Sequence, residues 1–160
     1  MNAENKNLYL YILKCLTAVS IIYIVAKYIN YHDFAWCMIS ATLVLTPDNT
    51  EAIPLAMTRI KANLIGGVAS IICIFMHLPI PATIILAILI TILSCNFLKL
   101  MTGSRAAIAA VIIIILHGEE YDHPNFWVIT FERLGSVIAG CIIALIVTVV
   151  FHRKIKSIKN

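Results

Sequence analysis

The sequence predicts an all-α membrane protein of about six transmembrane helices, arranged as two inverted three-helix repeats. Three observations carry this prediction. The chain is 61% hydrophobic and only 12% charged, with a mean hydropathy of +0.96, whereas soluble domains are about a quarter charged. Its apolar runs follow the order full, short, long, then full, short, long again. Finally, TRIKANLIGGVAS at 58–70 is echoed by ERLGSVIAGCIIA at 132–144, so that Arg59 falls on Arg133 and Gly66 on Gly140. A repeat of three crossings is odd in number, so the second copy must sit upside down relative to the first. Paired short segments in two inverted halves point to a transporter site near the bilayer midplane.

The first run, 8–29, is long enough for a hydrocarbon core of about 30 Å. Lys14 interrupts it near its start, where a lysine is expected to snorkel towards the headgroups. The polar patch NYHD at 30–33 ends this run. The second run, 34–46, reaches only about 20 Å as a helix and is too short to cross unaided. Pro47 closes it and a loop, DNTEAIP, follows. The third run, 56–77, carries Arg59 and Lys61 near its start, and LPIP at 78–81 forms a tight turn. The fourth run, 82–100, holds Asn96 near its far end. MTGSR then leads into a second short run at 106–116. The acidic stretch HGEEYDHPN at 117–125 precedes the last long run, 126–151, and a basic tail at 153–160. The repeats therefore occupy 8–78 and 82–152 within one integral membrane domain, 1–160.

Basic residues near helix ends set orientation. With the N-terminus inside, Lys6, Arg59, Lys61, Lys99, Arg105, Arg153, Lys154, Lys156 and Lys159 fall on the cytoplasmic side, against Lys27 and Arg133 outside. Both termini are therefore expected in the cytoplasm. Glu119, Glu120 and Asp122 then face outward, and Asp48 and Glu51 inward. The polar start MNAENKN and the absence of a small-residue cleavage site argue against a cleaved signal. The +4 net charge is spread along the chain and gives no nucleic-acid signal. Cys15, Cys37, Cys73, Cys95 and Cys141 stand singly in apolar runs and are read as small core- or lipid-facing residues. There is no phosphate loop, no paired histidines on a helix face and no nucleophile with a base. Neither an enzyme nor a resident cofactor or metal is expected.

A tryptophan-led short segment ending in proline (Trp36, Pro47), then an arginine and glycine (Arg59, Gly66), then a second arginine-glycine helix (Arg133, Gly140), resembles the membrane domain of the FUSC family. These are the fusaric acid resistance and aromatic acid exporter proteins of bacteria. The resemblance extends over about 8–151 and implies an oligomeric inner-membrane protein that exports aromatic carboxylates, driven by the proton gradient. Two features depart from the family. Ala62 and Asn63 stand where members often carry Gly-Thr. Larger members also add a soluble domain or a second membrane half, so this short form would need further copies or another subunit to complete a pathway.

Arg59 offers a planar fork suited to a carboxylate, or else a positive-inside anchor. Arg133 sits where that rule disfavours positive charge, and is either an ion-pair member or a functional group. Glu132 is adjacent but about 100° away around a helix, and need not be its partner. Gly66, Gly67 and Gly140 permit close helix packing. Asn63 and Asn96 could bridge helices or contact substrate. His117, Glu119, Glu120, Asp122 and His123 form the densest titratable set, read as proton handling, metal binding or simply a solvated loop. Trp36 and Trp127 follow polar loops, where the interface favours indoles. The expectation is a proton-coupled exporter of small aromatic or organic carboxylic acids, or a subunit of one. It would sit in the lipid bilayer as a homo-oligomer with a small organic anion as partner. The rival is a structural or accessory membrane subunit whose arginines only anchor and whose glycines only pack.

Overall fold

The computed structural model describes residues 3–31, 33–47, 51–120 and 126–159. Those residues form α1 (Ala3–Tyr28), α2 (Phe34–Val44), α3 (Ala52–Ile74), α4 (Ile80–Phe97), a 3-10 turn (Met101–Gly103), α5 (Ser104–Glu120) and α6 (Phe126–Lys159). Among the described residues, four stretches are long and apolar enough to cross a bilayer: Leu8–Tyr28, Ala52–Ile74, Ile80–Phe97 and Trp127–Phe151. The apolar helices Phe34–Val44 and Met101–His117 are shorter. The chain is thus an all-α, multi-pass membrane protein.

Several ends differ from the sequence reading, each for a local reason. α3 starts at Ala52 rather than 56, because Pro54 lies in the first turn, where no intrahelical N–H is needed. α4 likewise starts at Ile80 with Pro81 in its first turn, so LPIP is half helix. Thr83 secures that start, its Oγ1 donating to the carbonyls of Leu78 (3.0 Å) and Pro79 (3.3 Å). Of MTGSR, Met101–Gly103 form a 3-10 turn, and Ser104 and Arg105 already belong to α5. α5 in turn continues past its apolar run and takes in His117, Gly118, Glu119 and Glu120. The basic tail is no loose end but the last turns of α6. Asn30, His77 and Lys99 follow α1, α3 and α4 with φ of 51°, 49° and 56°. At two of these ends a reversed bond closes the helix, from Tyr31 N–H to Ala26 (2.9 Å) and from Leu100 N–H to Cys95 (2.8 Å).

The chain forms two compact units: Met1–Ala56 with Ser136–Asn160, and Met57–Gly135. Each draws on both halves of the sequence. In the first unit α1 packs on α2, and Gly140 of α6 lies directly on the α2 backbone, where a Cβ would run into the carbonyl oxygen of Cys37. Tyr31 and Ser136 share a hydrogen bond of 2.5 Å between their hydroxyls. In the second unit α4 packs on α5. One core layer joins Cys73, Ala87, Val111 and Ile115, and another joins Ala62, Cys95 and Ala107. Gly66 of α3 lies on α5, where a Cβ would meet the carbonyl oxygen of Ala107.

The distribution of side chains is inverted relative to a soluble domain. Alanine, cysteine, serine and threonine fill much of the interior, while leucine, isoleucine, phenylalanine and valine cover the outside. Lipid tails are as apolar as leucine, so nothing drives large apolar groups inward. Small residues at contacts let backbones approach and gain dispersion energy instead. Buried hydroxyls bond within their own helices: Ser70 to Gly66 (2.8 Å), Thr91 to Ala87 (2.7 Å) and Thr148 to Ala144 (2.8 Å). Cys37, Cys73, Cys95 and Cys141 are buried singly in the helices, as expected of small core residues.

Candidate anion site at the paired arginines

The second unit brings α3 past the first turns of α6. Phe75 meets Trp127 with ring centroids 6.3 Å apart, and a Cβ on Gly67 would lie 2.9 Å from Thr130 Cγ2. As α3 is followed back from residue 75 to 67, α6 advances from 127 to 130, so the two helices run antiparallel here. That course carries Arg133 toward the turn of α3 containing Asn63, one turn from Arg59. Trp127 therefore packs against Phe75 as well as standing at a helix start.

Arg133 is 8% exposed, and Arg59 is partly buried. The antiparallel course of α3 and α6 brings Arg59 into the neighbourhood of Arg133. The sequence reading had placed the two on opposite sides of the membrane, whereas the structure puts them in one neighbourhood. Nε of Arg59 and Nε and Nη1 of Arg133 are buried and donate no hydrogen bond among the described residues, although both side chains hold other interactions. Glu132 is exposed while Arg133 is buried, as expected for neighbours about 100° apart on a helix.

The other candidates separate into groups. Asn63 is buried and donates through Nδ2 to the Arg59 carbonyl at 2.9 Å, so its amide also steadies the turn that carries Arg59. Asn96 is exposed near the end of α4. Gly66 and Gly67 bring α3 close to α5 and α6 within the second unit, and Gly140 brings α6 close to α2 within the first. Ala62 is fully buried and faces Gly103, where a Cβ would come within 2.9 Å of its methyl. A glycine thus stands opposite Ala62, making room for the methyl at one of the two positions that depart from the family pattern. His117 is half-buried in the last turn of α5. The side chains of Glu119 and Glu120, and the whole of Asp122 and His123, lie outside the described residues. Among the described residues, no group of histidine, cysteine, aspartate or glutamate is placed to hold a metal.

One residue behaves otherwise than the sequence suggested. Lys14 does not snorkel: it is 1% exposed, and its Nζ donates to the Thr46 carbonyl at 3.3 Å. The signal was present in phase rather than in depth. Lys14, Ala18, Ile22 and Ala26 recur at helical spacing and are all buried, so the lysine belongs to the packed stripe of α1 rather than to its lipid face.

No curated protein and no solved structure matches the chain. The family described as fusaric acid resistance protein-like does match, over residues 19–147. This range contains both arginines, both short helices and all the packing glycines. The chain belongs to the fusaric acid resistance protein-like family.

Proposed function

We propose that this chain is an exporter, or an exporter subunit, of small aromatic or organic carboxylic acids in the bacterial inner membrane. In this reading both termini are cytoplasmic, the two halves are inverted repeats, and transport rather than catalysis is the activity. The observation that carries it is the juxtaposition of Arg59 with buried Arg133. Ionisable groups inside a membrane protein mark substrate or ion pathways by default. Two like charges held near each other in an apolar unit raise the local positive potential, which favours an anion there. A carboxylate suits that place because a guanidinium fork binds it bidentately. The aromatic part of the substrate would rest on apolar side chains, and several copies would complete the pathway through the exposed apolar faces of the helices. Proton coupling would use His117, Glu119 or Asp122.

The test is growth of a deletion strain on a panel of aromatic carboxylic acids, complemented with wild type, Arg59→Gln or Arg133→Gln at matched membrane levels. Rescue by wild type and not by either variant supports anion export at this pair. Full rescue by both variants removes the arginines from the reading. Sensitivity to none of the acids favours an accessory membrane subunit.

A further inference from the structure

Among the described residues Lys14 is the most completely buried charged side chain, and the anion site above makes no use of it. It sits in the first unit, on α1, against the place where α2 stops. α2 ends at Val44, and Leu45 turns to extended backbone with ψ of 127°. Thr46 and Pro47 follow. Proline brings no N–H, so the helical ladder cannot continue through it. The last carbonyls of any helix lack donors within that helix and form the negative end of its dipole. Here the Leu45 N–H returns to Ala41 at 3.1 Å. The Thr42 hydroxyl is directed at Met38 (3.0 Å) and Ile39 (3.1 Å). The ammonium of Lys14 comes from another helix to the Thr46 carbonyl. An ammonium has three donors and no acceptor, so carbonyl oxygens at an unwound helix end are the groups it matches. Membrane transporters place monovalent cations against such helix ends.

We propose that the backbone carbonyls just past the end of α2 form a monovalent-cation site, filled in this chain by the tethered ammonium of Lys14. The internal cation fastens α1 to the end of the short helix, doing there what a bound sodium ion does at a comparable unwound end. The inference stands apart from the arginine reading, since it concerns the other unit and needs no transported substrate.

The experiment is thermal unfolding of the purified full chain in mild detergent. Wild type, Lys14→Arg, Lys14→Met and Lys14→Ala are compared in the chlorides of sodium, potassium, methylammonium and choline at one ionic strength. Losing a buried charge-assisted hydrogen bond lowers the midpoint by about 5 °C. That loss is expected for Lys14→Met in every salt and for Lys14→Ala in choline. Sodium or methylammonium should restore at least half of it in Lys14→Ala, where the cavity is open, and leave wild type unmoved. Lys14→Arg should keep most of the stability. The proposal is overturned if Lys14→Met matches wild type, or if the Lys14→Ala loss is the same in all four salts. If neither neutral variant accumulates in the membrane, Lys14→Arg decides: normal accumulation supports a cation site, and equal failure overturns it.

Discussion

The two compact units use one packing device and dispose of their buried charge differently. In each, a glycine on a long helix lies against the backbone of a short one: Gly140 on Cys37 of α2, and Gly66 on Ala107 of α5. The next contact is a small side chain one turn on, Ser40 in the first unit and Ala110 in the second. Each glycine comes from the opposite half of the sequence to the short helix it touches. The buried cation of the first unit points at a carbonyl of its own chain, from Lys14 to Thr46. In the second unit Arg59 and Arg133 share one neighbourhood. The difference separates structure from function. On the two proposals above, the cation directed at its own backbone serves the fold, whereas the two cations placed together serve an incoming anion.

The glycines give the strongest test of the shared device. Gly66→Leu and Gly140→Leu should each destabilise by about 3 kcal/mol or more, because the obstacle is a backbone carbonyl rather than a flexible side chain. Loss of membrane accumulation, or a thermal midpoint lowered by about 10 °C in detergent, would register it. Equal effects in the two variants are expected from the matching contacts. A mild effect in one alone would break the parallel between the units.

The arginines test the contrast. A benzoate-like acid at about a hundred times its dissociation constant should stabilise wild type by about 2.7 kcal/mol. Arg133→Gln should lose that gain while folding normally, and Arg59→Gln should lose most of it. Lys14→Arg should keep it. Calorimetry or thermal unfolding with and without the acid reads all three. Ligand stabilisation surviving in Arg133→Gln would place the anion elsewhere.

How far the sequence could be read follows from the same contrast. The helices and their order were legible because lipid demands long apolar runs and satisfied backbones, and the α2 and α4 boundaries differ by at most three residues. The ends of α3 and α5 were less legible. Pro54 and the polar stretch after Leu116 read as loop, yet a proline is neutral in a first turn, and the glutamates at 119–120 simply extend a helix. The glycines were legible as packing positions because only small residues permit backbone contact. The arginine pairing was not. Topology by charge counting assigned each arginine to a membrane face, while their proximity depends on how α3 and α6 cross, which no local pattern encodes. Lys14 was misread because depth along the run was weighed and phase with Ala18, Ile22 and Ala26 was not.

Smaller effects sharpen the comparison within the first unit and along α6. Tyr31→Phe removes one partner of the Ser136 hydroxyl and should cost about 1 kcal/mol. Gly135 differs in kind from Gly66 and Gly140: it is exposed, and a Cβ there meets nothing within 4 Å. In a helix interior, glycine's backbone freedom is then a cost with no packing to offset it. Gly135→Ala should raise stability by about 0.5–1 kcal/mol, a gain of about 2 °C in midpoint. A loss instead would mean that this face of α6 is covered by another helix, most directly one from a second copy of the chain. The smallest substitution in the series thus bears on whether the lipid-facing surface of α6 is lipid-facing at all.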